Sequence, residues 1–292
     1  MSDRATEILD PELLRQVRTK VCDALSITSV DDYDVSDLET NVKSRDILVR
    51  IFSLQYIEDH GWKSAVDDEK AQATIVKTIV DAMKWRKTIG VTRLTLSDFS
   101  PEFFTRGYFR VGESGDTVTI VMDFGRHKKI SAQVSSMEMA FFLVFTERFT
   151  MEQFAKGRRV VVIFDHTNYS LTNMDGSFML DFFSLISAYY PSVISQTLAY
   201  ELPWYLKPVV SMAKAILPKR MTKSFDTVDR RSILAVLEKD QVPKWMGGDC
   251  DCKVLSVEST KDLKEVASAY GVTEADLNKL TEYYTATASL SD

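Results

Sequence analysis

Apolar positions in the first hundred residues recur at helical spacing. Between Pro11 and Leu25, Leu13, Leu14, Val17, Val21 and Leu25 fall at steps of three and four, which predicts an amphipathic helix. Residues 46–59 and 72–87 repeat the pattern, and in the second stretch Ile75, Ile79, Ala82 and Met83 share a face. Gly61 separates these two stretches and Gly90 ends the second, while residues 30–37 are acidic and aperiodic, as a linker is. A small helical bundle is expected.

The period changes after Pro101. Residues 117–123 (TVTIVMD) are rich in β-branched side chains and read as a strand; residues 160–165 (VVVIFD) read as a strand buried on both faces. Helical segments follow each strand, at 131–149 and 175–190, the latter apolar on most sides apart from Asp181, Ser184 and Ser187. Beyond them the pattern predicts a strand at 196–202, a helix at 205–217, a strand at 221–228 and a helix at 230–238. Strands alternating with helices imply an α/β fold with a mainly parallel sheet, joined by right-handed crossovers. The last forty residues read as two short helices around Gly271, the second opened by Thr273 and Asp276. Residues 258–284 carry six acidic against three basic side chains, so a hairpin docked on the main domain is expected rather than a DNA reader. The chain thus divides into a helical part at 1–100, a main domain at 101–252 and a helical hairpin at 253–292.

Composition limits the function. The 292 residues are 45% hydrophobic and 27% charged, enough for a sizeable core, and the net charge of −6 argues against nucleic acid as the general partner. Cys22, Cys250 and Cys252 read as reduced structural thiols, because Cys250 and Cys252 are too close in sequence for an ordinary disulfide and lack companions for a metal site. No secretory signal is visible in residues 1–10, and the longest apolar run, 139–145, is far short of the roughly 20 residues that span a bilayer. The expectation is a cytoplasmic protein whose membrane contact is peripheral.

Catalytic motifs are missing: there is no GxSxG elbow, phosphate-binding loop or GxGxxG. His60 and His127 read as surface residues. Asp165–His166, at the end of the second strand, is a weak candidate for a general-base pair without a companion nucleophile. No catalytic role, metal or cofactor is assigned. The segment 205–217 is more informative. Lys207, Ser211 and Lys214 form one narrow polar stripe on an otherwise apolar helix. From residue 203 to 231 seven basic side chains face two acidic ones, a local +5 against −6 overall, which suits an anionic lipid surface. Segments 137–149, 178–190 and 204–217 also hold many large apolar groups, which either fill a core or line a cavity.

Several residues in this order resemble the CRAL-TRIO lipid-binding domains typified by the phosphatidylinositol/phosphatidylcholine transfer proteins. They are Trp85-Arg86-Lys87 with Gly90-Val91, Asp165, Asp175-Gly176, Tyr190-Pro191, Leu202-Pro203-Trp204, Lys223, and Pro243 with Gly247-Gly248. The match spans about residues 40–250 and is similar in part to the CRAL-TRIO domain of motile-sperm-domain-containing proteins. The resemblance implies a sheet floor and flanking helices around a hydrophobic pocket, gated by the helix near 204–217 at a membrane. It implies a non-enzymatic protein that binds a phospholipid or other small hydrophobic ligand and transfers it between membranes. Phe141, Phe142, Phe145, Phe182, Phe183 and Ile186 would line the pocket, with Trp204, Val209, Met212 and Ile216 on the gate and Lys223 at the headgroup. Lys214, Lys219 and Arg220 would touch anionic lipid. Phosphoinositide-binding members carry an acidic residue where Ser192 stands and usually Asn at the position of Glu201, whereas their lysine is kept as Lys223, so one of two headgroup determinants is missing. The alternative expectation is an adaptor whose pocket is filled by side chains and whose terminal extensions dock a protein partner.

Overall fold

A computed structural model describes residues 11–28, 45–60, 68–217, 219–259 and 261–288. Helices α1 (Pro11–Leu25), α2 (Arg45–His60) and α3 (Glu69–Ile89) pack against one another, α1 burying Leu13, Val17 and Val21. Helix α3 starts where the Asp68 side chain accepts hydrogen bonds from the backbone of Lys70 and Ala71. It stops at Gly90, which takes the left-handed conformation there.

The main domain is a six-stranded sheet in the order β5-β4-β3-β2-β1-β6. Strands β2 (Thr117–Asp123), β3 (Arg159–Asp165), β4 (Gln196–Tyr200) and β5 (Phe225–Val228) run parallel. Strands β1 (Phe109–Ser114) and β6 (Lys253–Val254) extend the sheet antiparallel. Both edge elements escape the sequence pattern. Gly112 and Glu113 interrupt the alternation in β1, and β6 is two residues long.

Alternation along the strands divides the core in two. Ile120, Met122, Val162, Phe164, Ala199 and Phe225 face a front layer. That layer is made by α5 (Ala132–Phe145), α7 (Gly176–Tyr189) and α8 (Lys207–Ile216); the short helix α4 (Pro101–Thr105) adds Phe103 and Phe104. Val121, Val161, Ile163, Leu198 and Val228 face the back, where Ile233, Leu237, Val242 and Met246 cover them. The continuous apolar run of β3 is therefore buried on both faces, as its composition requires.

Two local expectations are corrected. Residues 230–238 form a single 3-10 turn, Ile233–Ala235, rather than a helix. Asp229 accepts hydrogen bonds from Arg231 and Ser232, and the chain then wraps the sheet as short turns that lay down one apolar residue at a time. Residues 221–228 split into the end of α9 (Lys219–Lys223) and the strand β5, so Lys223 ends a helix instead of lying in a strand. The wrap closes at Gly247 and Gly248. Gly247 has a φ of 100°, and a Cβ on Gly248 would stand 1.9 Å from the Val242 carbonyl oxygen. Only glycine fits the second position.

Between α5 and α6 (Met151–Ala155) a π-helical turn, Thr146–Thr150, inserts an extra residue. It presents Glu147 to Arg86 and sends Arg148 to the carbonyls of Thr92 and Leu94. Arg86 is 2% exposed. Its Nε donates to Glu147 at 3.1 Å and its Nη2 to the Tyr189 carbonyl at 2.6 Å, while its guanidinium stacks over Tyr190. Trp85 stacks flat on Tyr189, with ring centroids 3.8 Å apart. These contacts bind the helical bundle to the main domain.

Removing Arg86 strands Glu147 and a buried carbonyl. Arg86→Met should therefore destabilise the chain by about 3–5 kcal/mol in urea unfolding. A Gly248→Ala chain should lose about 1–3 kcal/mol or more in the same assay, because the added methyl meets backbone that cannot move aside.

Candidate functional site

The region expected to form a gate starts where β4 ends. Glu201 sits in the left-handed region with a φ of 50°, a conformation Asn adopts more readily, and its carboxylate accepts from the Arg230 backbone N–H. Pro203 then opens a 3-10 turn, Trp204–Leu206, that leads into α8. Leu206 and Leu217 are buried, and Val209 and Val210 pack inward. The outer ridge carries Trp204, Pro208 and Met212 at four-residue spacing, with Trp204 79% and Met212 57% exposed. Tyr205 donates to the Tyr169 carbonyl at 3.1 Å, which joins this ridge to the loop where Leu171 is 67% exposed.

Beneath α8 lies an aromatic floor. Phe164, Phe183 and Phe225 form a triangle with centroids 5.4, 6.4 and 6.5 Å apart, and Phe182 meets Phe142 at 5.7 Å. Lys214 pins the helix to this floor: its Nζ donates to the Phe225 carbonyl at 3.1 Å and stands 4.8 Å from the ring centre.

Of the residues expected to line a pocket, Phe142, Phe182, Phe183 and Ile186 are fully buried in the front layer. Phe141 and Phe145 lie deeper toward β1: Phe145 stacks on Phe109 at 3.8 Å, and Phe141 meets Phe103 at a tilt with centroids 4.9 Å apart. Lys214 is half-buried and turned into the domain, whereas Lys223 is exposed. The side chains of Ile216, Lys219 and Arg220 fall outside the described residues. Ser192 is buried, with a φ of 65°.

His127, read from sequence as a surface residue, is buried at 2% exposure. A run of basic neighbours suggested solvent, but the fold turns this side chain inward to Glu138. Nδ1 of His127 lies 2.6 Å from Glu138 and Nε2 lies 3.6 Å from Asp175, with the ring stacked on Phe178. Glu138 also accepts from Arg106 at 3.0 Å and from the Tyr108 hydroxyl at 2.8 Å. Tyr284 of the terminal helix α11 (Glu274–Ala288) covers the Arg106 guanidinium, and Tyr283 donates to the Gly125 carbonyl. Burial alone would raise the Glu138 pKa; His127 and then Arg106 outweigh it and hold the carboxyl below its usual range.

Asp165 and His166 do not pair. Asp165 accepts from the Thr167 backbone and hydroxyl and from Trp245, and His166 Nδ1 faces the Tyr200 carbonyl. Burial lowers the His166 pKa. The sulfurs of Cys250 and Cys252 lie 3.5 Å apart as buried free thiols, and burial raises both pKa values.

A separate groove of about 670 Å³ opens between α5 and α7. None of the residues expected to line a pocket borders it. Trp85, Ile89, Val91 and Leu94 form one wall, and Tyr270, which follows α10 (Leu263–Ala269), forms part of another. The only sequence signal for it was the polar strip of Asp181 and Ser184 on an apolar helix.

A Glu138→Gln chain leaves Arg106 buried without its counter-charge and should lose about 3 kcal/mol of stability at neutral pH. Because the folded carboxyl titrates below its ordinary value of about 4.3, its contribution is present above that pH and is lost as pH falls through the folded value. Acid-unfolding curves should show that loss in the native chain and a flatter profile in Glu138→Gln.

Residues 108–248 match the family model of the CRAL/TRIO domain. The fold is also similar to the crystal structure of Sfh5, with a TM-score of 0.55 and 12% sequence identity over 94% of this chain and 98% of that one. At that identity the likeness concerns the fold. The segment from Tyr108 to Gly248 thus matches the CRAL/TRIO domain family, and it lies between an amino-terminal helical bundle and a carboxyl-terminal helical hairpin.

Proposed function

We propose that this chain binds a lipid or another small hydrophobic molecule beneath α8 and exchanges it at a membrane surface. The CRAL/TRIO fold supports lipid or small-ligand binding in general. The finer reading rests on one observation: the turn Trp204–Leu206 and α8 expose Trp204 and Met212 on one outer ridge, while their inner side covers an aromatic floor. An exposed tryptophan and methionine cost nothing in a protein that rests on lipid and are a liability in one that does not. Leu171 and Met174, also exposed, extend the same rim through the Tyr205–Tyr169 bond. Among the described residues no helix is long and apolar enough to cross a membrane, so contact would be peripheral.

In this reading Phe183, Val209 and the Phe164–Phe225 pair border the ligand, and α8 lifts as the Lys214 bond to the Phe225 carbonyl breaks. The exposed Lys223 would meet a headgroup, and Lys219 and Arg220 would face anionic lipid. Each buried methylene contributes about 0.8 kcal/mol, so an acyl chain held there should survive purification.

A second reading has a specific observation in its favour. Phe142, Phe182, Phe183, Phe164 and Phe225 already touch ring to ring, as in a filled core. The chain would then be an adaptor that binds protein partners through its terminal helices.

Lipid extraction and mass spectrometry of the purified protein should find one stoichiometric lipid. A Met212→Asp chain, with its charge on the outer ridge, should keep its fold and transfer labelled phospholipid between vesicles at least about tenfold more slowly. A protein that emerges empty, and stays empty after incubation with mixed vesicles, would favour the adaptor.

A further inference from the structure

We propose that the groove between α5 and α7 is a second ligand site, built for a single-chain amphiphile with a zwitterionic head. It does not depend on the gated pocket: α7 meets α8 as well as α5, and the groove lies on its α5 side.

The walls vary from one end to the other. Both helices follow parallel strands on the same sheet face, so their amino termini lie at the same end. That end is polar, with Lys129, Asp175 and Ser177 beside Ser135 and Ser136. Toward the carboxyl half of α5 the lining becomes Met139, Ala140, Leu143 and Val144, facing Trp85 and Leu94. From Ala132 to Val144 the lining of α5 runs about 18 Å at 1.5 Å per residue. Packed helices stand about 8–10 Å apart axis to axis, no more than their own width of about 10–12 Å with side chains, so the groove follows the seam over α5 and α7 as one narrow track. The volume of about 670 Å³ falls within the roughly 300–1,000 Å³ typical of small-molecule sites.

The charges choose the head. Lys129 lies 3.6 Å from Asp175, so it is already matched, and Asp181 adds a second carboxylate on the groove face of α7. Against this net single negative charge stand two helix amino termini of about half a positive charge each. The end is near neutral but dipolar. With Asp181 five residues, about 7.5 Å, further along α7 than Gly176, a phosphate would lie toward Lys129 and the start of α5 and the ammonium would fold back toward Asp181. A purely anionic head would meet two carboxylates, and a purely cationic one Lys129 and both helix termini.

Part of the apolar wall comes from outside the CRAL/TRIO segment. Trp85, Ile89, Val91 and Leu94 come from the helical bundle and its exit, and Tyr270 from the terminal hairpin. The extensions thus complete a cavity that the domain alone leaves open.

The test is a titration of the full chain with palmitoyl lysophosphatidylcholine brominated on its acyl chain, below its micelle concentration. Saturable quenching of tryptophan emission is expected, and it should vanish in Trp85→Phe. Ala140→Phe and Ser184→Phe, each checked by circular dichroism, should weaken binding about tenfold or more, while Met212→Asp leaves it intact. Palmitate and a long-chain alkylammonium should compete at least about tenfold less well. No saturable quenching, or quenching that both phenylalanine variants retain, would overturn the site. Loss in Met212→Asp with retention in Ala140→Phe would move the probe to the gated pocket. Palmitate binding as tightly as the lysolipid would overturn the zwitterionic head.

Discussion

A buried guanidinium is tolerable only when its N–H groups are used, and Arg86 meets that condition by joining three elements. Its own helix supplies the Ala82 carbonyl, the π-helical turn supplies Glu147, and the end of α7 supplies the Tyr189 carbonyl. The last is one of the carbonyls that a helix end leaves without an intrahelical partner. One side chain therefore satisfies the end of α7, fixes the direction in which Tyr190-Pro191 leaves it, and seats the helical bundle. Trp85 adds a flat stack on Tyr189. Both the path of the chain toward β4 and the placing of α8 beyond it depend on this arrangement, and so does the wall that α3 gives to the groove.

A second polar centre does for the carboxyl terminus what Arg86 does for the amino terminus. Arg106, Tyr108, Glu138 and His127 are buried together beneath Tyr284, and Asn173 and Tyr283 tie the adjoining loop to the terminal helix. Such clusters gain little net stability over apolar packing, but each hydrogen bond in them has one geometry. They hold the two helical extensions in register with the domain, and those extensions supply the outer walls of the groove. The front layer between the centres is aromatic and close-packed, and α8 lies across it with Lys214 turned inward, while Met212 and, in the turn before α8, Trp204 face out.

Much of this was legible in the chain. The period of 3.6 marked α1, α3, α5 and α7, and the unbroken apolar run of β3 implied a strand covered on both sides, because local spacing and solvent exposure are tied along a single element. The residues that carry the family resemblance were legible for a related reason. Gly247 and Gly248 are fixed by local geometry that few other side chains tolerate, and Arg86 and Tyr190 by a buried contact that few other side chains could make. What tertiary structure alone decided is which side chains meet across elements far apart in sequence. The basic neighbours of His127 said surface, yet Glu138 and Asp175 draw it into the core. Lys214 lay on a polar stripe, yet the Phe225 carbonyl claims it. The groove joins Trp85 to Tyr270 across 184 intervening residues. Periodicity reports one face of one helix at a time, whereas a cavity is a property of several faces at once.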